Sequence, residues 1–214
     1  GNHDVNFELS GKRALVTGST LGIGRAIAAD LLREGAAVII NGRDAGRVAE
    51  AAKALSHLGE VIGVAADLSN AAGAEALLDE IDAPIDILIN NVGAFTVKPF
   101  FEISDQDWAD MFQLNVMSGV RLARACMPAM LDSGWGRIIF IGSDQSQKPN
   151  PMMAHYAMTK SAQVSVARSL AELTAGSEVT VNTVLAAPTW TDGVEAFMKQ
   201  MADIEGTTPE AMSK

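Results

Sequence analysis

The chain has 214 residues, 16 of them basic and 26 acidic, for a formal charge of −10. That length suits one domain of ordinary size, and a composition 48% hydrophobic and 20% charged excludes wholesale disorder. The acidic balance argues against nucleic acid or an anionic membrane as partner, since either would repel the chain, and no run of about 18 uncharged apolar residues is present to span a bilayer.

In chain order, short apolar runs alternate with longer helical stretches. Residues 13–17, 36–41, 60–65, 85–90, 136–142 and 179–185 read as strands. Residues 23–34, 44–58, 70–81, 104–132 and 155–175 read as helices. Strands apolar on both faces and separated by helical crossovers predict an α/β fold, a parallel sheet with helices on both faces. Right-handed crossovers make it doubly wound. Ser104 reads as an N-cap with Asp107 in the capping-box position, and Gly35 and Gly134 as helix stops. No linker or repeat divides the chain, so residues 1–214 are expected to form one domain. The lone cysteine, Cys126, reads as a small core residue and permits no intrachain disulfide, in keeping with a cytoplasmic location. His3, His57 and His155 are scattered, with no metal-ligand spacing.

After the first strand comes Gly18-Ser19-Thr20-Leu21-Gly22-Ile23-Gly24, and then a helix. In a dinucleotide fold Gly18 permits the tight turn, Gly22 the approach of the pyrophosphate, and Gly24 close packing of helix on strand. The helix start offers unpaired N–H groups and the positive end of its dipole to phosphate, and the Ser19 and Thr20 hydroxyls can donate to the same group. At the tip of the second strand, Asn41-Gly42-Arg43 has no carboxylate for a free ribose hydroxyl. Arg43 is either a clasp for a 2′-phosphate, favouring NADP(H) over NAD(H), or a solvated surface side chain. Asp67 is placed to accept from the adenine amino group, or else to cap the next helix. Asn90 either shapes the cofactor site or ties neighbouring strands through its amide.

Tyr156 is the only tyrosine, and Lys160 stands one turn further along the same helical face. A free phenol, with a pKa near ~10, exchanges protons poorly at neutral pH, and a nearby ammonium is expected to lower that value. Tyr156 then becomes a general acid and base. Ser143, at the end of the fifth strand, is placed to hold the substrate oxygen beside it.

In these motifs the chain resembles the short-chain dehydrogenase/reductase superfamily, of the common single-domain Rossmann type. The likeness runs from about Leu9 to Leu185. The glycine loop, Asp67 and Asn90-Asn91-Val92-Gly93 match the cofactor markers, and Asn115, Ser143, Tyr156 and Lys160 match the catalytic tetrad. The resemblance implies a hydride passed between nicotinamide and a ketone or secondary alcohol. Tyr156 would carry the proton, Ser143 the oxygen, and Lys160 the nicotinamide ribose. Asn115, by bending its helix, would position a water that relays protons to Lys160. The implied cofactor-binding set is Gly18, Ser19, Thr20, Gly22, Ile23, Gly24, Arg43, Asp67, Leu68, Asn90, Val92, Gly93, Tyr156, Lys160, Thr189 and Thr191. Substrate contacts are expected from Ser143, Phe95, Tyr156 and Trp190, beneath a lid near 188–214. Within the family the nearest specific substrate is a 3-oxoacyl group. The net charge counts against an acidic acyl carrier unless Arg121 and Arg124 make a basic patch.

Two departures accompany the likeness. Ala186-Ala187 stands where the family has Pro-Gly. Only six strands are found where the family has seven, and Thr208-Pro209-Glu210 reads as the start of a further helix, so a C-terminal segment is expected beyond the supplied chain. A non-catalytic NADP(H) sensor is the competing reading, and the intact tetrad argues against it. The expected partners are a small carbonyl or alcohol and further copies of the chain, as a homodimer or homotetramer paired through the helices that start near Ser104 and His155.

Overall fold

A computed structural model describes residues 6–186 and Lys199. Trp190, Thr189 and Thr191, and the expected lid near 188–214 apart from Lys199, lie outside the described residues. Six strands form one parallel sheet: β1 Arg13–Val16, β2 Ala37–Gly42, β3 Val61–Ala65, β4 Ile87–Asn90, β5 Trp135–Ser143 and β6 Glu178–Ala186. Their order is β3-β2-β1-β4-β5-β6. The chain winds outward from β1 to β3, then returns to lay β4 on the other side of β1. The direction of winding therefore reverses between β1 and β4, and ligands bind at the carboxyl ends of such strands.

Alternation along the strands explains the layers. Ala14, Val16, Val38, Ile40, Ile87 and Ile89 face one way, against α1 Gly22–Arg33 and α2 Ala45–Leu55. Leu15, Ile39 and Leu88 face the other way, where α3 Ala71–Asp79, α5 Ser118–Ser133 and α6 Ala154–Glu172 cover them with Leu77, Leu122, Met130 and Ala167. Both faces are buried, as a parallel sheet requires. Cys126 belongs to this second layer, where burial pushes its thiol up to about 12.

The expected helix over 104–132 is in fact broken. It opens as α4, Asp105–Phe112, behind a complete Ser104–Asp107 capping box. Residues Gln113–Met117 then widen into a π-helical turn before α5 begins. There the Ser118 N–H reaches the carbonyl of Gln113, five residues back. The Leu114 carbonyl accepts instead from the Ser118 hydroxyl at 2.5 Å, and the Asn115 carbonyl from Gln163 Nε2 at 2.6 Å. Side chains thus satisfy carbonyls in the wide turn, which often marks a functional site.

Candidate active site

The phosphate end is built by β1, α1 and β4. Gly18 and Gly22 sit at φ +57° and +61°, in the left-handed region that glycine tolerates. A Cβ on Gly24 would lie 2.5 Å from both the Gly18 carbonyl oxygen and Asn91 Nδ2. Those two atoms bond each other at 2.9 Å, directly over the helix start. Gly24→Ala is therefore expected to push the loop off the helix. A loss of about 1–3 kcal/mol in stability should appear as a lower Tm, together with at least ~tenfold weaker NADPH binding by fluorescence titration. Unchanged binding would show that this contact does not set the loop.

Thr17 carries a role the sequence did not reveal. Its hydroxyl accepts the N–H groups of Asn91 and Val92, both at 3.0 Å, and so locks the β4 loop to the glycine loop. Asn41 is a second brace: its Nδ2 donates to the Val64 and Ala66 carbonyls, joining β2 to β3. A polar residue closing an apolar strand was the available signal.

Ser19 departs from expectation. It is wholly buried, and its hydroxyl donates to the Val16 carbonyl at 2.6 Å while accepting the Asn41 N–H at 3.0 Å. That proton is spent inside the fold and is not offered to phosphate. Thr20 stands over Gly42, its methyl 2.7 Å from where a Cβ there would be. The start of α1 has neither a side-chain cap nor an acidic residue in its first turn. Asp44, Asn70 and Ser104 do cap α2, α3 and α4. Free N–H groups beside open glycine backbone fit an anionic dinucleotide. Ile23 lies half-buried in that first turn.

Arg43 is exposed just past β2 and near enough to Asp67 to help lower its carboxyl, although the Ser69 N–H at 3.0 Å is the main cause. Asp67 does not cap α3; Asn70 does, through the Gly73 N–H. The Leu68 side chain belongs to the core, leaving its backbone alone for a ligand. Asn90 is 4% exposed, yet neither side-chain polar atom has a hydrogen-bond partner, so its amide does not tie the strands.

The four tetrad residues converge at the carboxyl ends of β4 and β5. Asn115 Nδ2 donates to the Ala94 carbonyl and its Oδ1 accepts the Ala94 N–H, both at 2.8 Å, which fixes the loop after Gly93. It also reaches Thr159 Oγ1 at 3.1 Å, between Tyr156 and Lys160. A Cβ on Gly93 would sit in ordinary contact, 3.5 Å, with both Asn115 Oδ1 and Lys160 Nζ, so Gly93 borders the space these two groups share. The Asn115 carbonyl accepts from Gln163 Nε2, tying the wide turn to the catalytic helix.

Lys160 is 6% exposed and donates to the Ile141 carbonyl at 3.1 Å. Burial lowers its pKa to about 8. The phenol behaves otherwise than the Tyr–Lys spacing predicts. Burial raises the Tyr156 pKa, a bond from Ser143 opposes this, and the Asp144 charge adds to it. Lys160 Nζ lies 5.5 Å from the ring centroid, and its charge goes to a carbonyl instead of the phenol oxygen. At neutral pH Tyr156 therefore holds its proton, the state a general acid needs. Phe95 meets the Tyr156 ring edge-on at 5.9 Å, and both pack with Val97, Met152 and Met153. His155 is buried against Trp108, and burial lowers its pKa. Arg121 donates to Gln113 Oε1 at 2.5 Å.

The profile of the short chain dehydrogenase family matches residues 12–202. The uncharacterized oxidoreductase YvrD of Bacillus subtilis is 45% identical over 98% of this chain and 81% of its own. The 3-oxoacyl-[acyl-carrier-protein] reductase FabG of Haemophilus influenzae is 36% identical over 94% of this chain and 84% of its own. Among solved structures, L-sorbose reductase from Gluconobacter frateurii, complexed with NADPH and L-sorbose, superimposes with a TM-score of 0.89 at 30% identity, covering 97% of this chain and 81% of that one. The Rossmann-type sheet thus agrees with these structural relatives. The chain belongs to the short-chain dehydrogenase/reductase family and is an oxidoreductase acting on CH–OH or carbonyl groups.

Proposed function

We propose that the protein is an NADP(H)-dependent reductase of ketones, running in reverse as a dehydrogenase of secondary alcohols. The observation that carries this reading is the convergence of Ser143, Tyr156 and Lys160 beside an uncapped helix start. Gly18, Gly22, Arg43, Asp67 and Lys160 would hold the dinucleotide, which supplies the hydride when bound. Ser143 holds the carbonyl oxygen. Tyr156 gives that oxygen its proton, completing the alcohol, and regains a proton afterwards. Lys160, its charge kept close to the ring, limits the cost of the transient phenolate. Asn115 keeps the Ala94 loop and the catalytic helix in register.

Arg43 supports the choice of NADP(H), because no carboxylate competes for the ribose at the tip of β2. The NADPH-bound relative agrees with it. A 3-oxoacyl group is the more specific substrate candidate, and the likeness to FabG supports it. The exposed apolar side chains Leu131, on α5, and Leu173, just past α6, flank a groove that suits pairing of two copies. Oxidation of NADPH and NADH, followed at 340 nm against a panel of ketones, tests the reading. NADPH is expected to be preferred, and Arg43→Ala to cut that preference by about ten- to a hundredfold. Tight NADPH binding without turnover of any ketone would refute the enzyme.

A further inference from the structure

Ser143 is fully engaged before a substrate arrives. A serine hydroxyl offers one proton and two acceptor positions. The proton goes to Asp144 Oδ1 at 3.1 Å, and one acceptor position takes the Gln145 N–H at 3.2 Å. The same hydroxyl stands against the Tyr156 phenol, where it favours the phenolate. Ser143 can therefore donate to a carbonyl oxygen only by turning its proton away from Asp144. That rotation leaves the carboxylate without its partner.

Asp144 is exposed and opens the short turn Asp144–Ser146, directly after the residue that holds the reacting oxygen. Its charge reaches Tyr156, where it opposes loss of the phenol proton. One side of Tyr156 packs on the apolar Phe95, Val97, Met152 and Met153, and Lys160 Nζ stands 5.5 Å from its ring centroid. Among these neighbours Asp144 is the one charged acceptor beside the Ser143 hydroxyl.

Resting on the reductase reading, and choosing against the 3-oxoacyl candidate, we propose that Asp144 is a specificity residue, selecting ketones with a hydroxyl group on the carbon next to the carbonyl and rejecting those in which that carbon is a carboxylate. The substrate hydroxyl hands Asp144 the hydrogen bond that Ser143 gives up. A methyl group in its place leaves the carboxylate to water. A carboxylate in its place sets two like charges side by side.

Three small ketones isolate this effect: hydroxyacetone and butanone differ only in a hydroxyl or a methyl on the carbon beside the carbonyl, and in pyruvate that carbon is itself a carboxylate. With NADPH and the full chain, kcat/KM is expected to rank hydroxyacetone first and pyruvate last, with hydroxyacetone about five- to tenfold above butanone. In Asp144→Ala the hydroxyacetone-to-butanone ratio should fall close to unity. In Asp144→Asn, which keeps an acceptor and loses the charge, pyruvate should gain about tenfold relative to butanone. Saturation-transfer NMR of hydroxyacetone on the NADP+-loaded protein should weaken in Asp144→Ala, a readout free of turnover. If both ratios stay within about twofold of wild type in both variants, Asp144 does not choose the substrate. Absence of turnover on all three ketones, despite NADPH binding, would instead overturn the reductase reading and this inference with it.

Discussion

Tyr156→Phe is expected to lower kcat by about a thousandfold, within the ~10²–10⁴ range of a lost general acid. The substitution removes one oxygen and keeps the ring. Its edge contact with Phe95 and its packing on Met152 should survive, so the fold and NADPH affinity should change little. The loss should therefore appear in kcat and not in the nucleotide Kd, as single-turnover kinetics beside a fluorescence titration would reveal. Because burial keeps the wild-type phenol protonated, reduction should not weaken through neutral pH for want of that proton. A variant retaining a tenth or more of wild-type kcat would mean that another group supplies it.

Lys160→Met is expected to trade activity for stability. Burial displaces the Lys160 pKa from 10.5 to about 8. A displacement of that size is on the order of 3 kcal/mol against the charged form. The folded state binds the proton less well than the unfolded chain does. The cost is fully present below about 8 and is relieved as pH rises from there towards 10.5. Methionine fills much of the same volume without charge, but it orphans the Ile141 carbonyl. The net gain at pH 7 should be about 1–2 kcal/mol, or roughly 2–8 °C in Tm. kcat/KM should fall by at least ~a hundredfold, because both the phenolate and the ribose lose their cation. Melting curves of both nucleotide-free proteins between pH 7 and about 10 check the sign. The stability gap should shrink as pH rises, and a constant gap would mean that packing, not the buried charge, is responsible.

Much of this arrangement was legible in the sequence, and the reason is local. Strand and helix periods, the Ser104 cap, and the stops Gly35 and Gly134 depend on neighbours a few residues away. The Tyr156–Lys160 pair is likewise one turn of one helix. What escaped was decided across the sheet. Whether Ser19 faces phosphate or core depends on how closely β2 passes, and no residue beside Ser19 reports that. The π-turn at Gln113–Met117 looks like ordinary helix, because its extra residue is stabilised by Gln163, 48 positions from Asn115. The Tyr156 proton was misjudged for the same reason. Spacing gave the distance to Lys160 along the helix, whereas burial and the Ile141 carbonyl set where the charge goes.

The Thr17 latch has a consequence for folding itself. It joins the glycine loop to a segment 74 residues later, and it closes only after β4 has inserted beside β1. Pairing of such distant segments is intrinsically late and slow, because a long loop must close before any contact rewards it. A chain caught with β1–β3 assembled and β4 still outside has the glycine sequence but no cradle. A nucleotide that needs this cradle would bind completed molecules and leave unfinished ones alone. By mass action its presence at about a hundred times Kd would add roughly 2.7 kcal/mol to the finished state, so a cell rich in the cofactor keeps more of this chain folded.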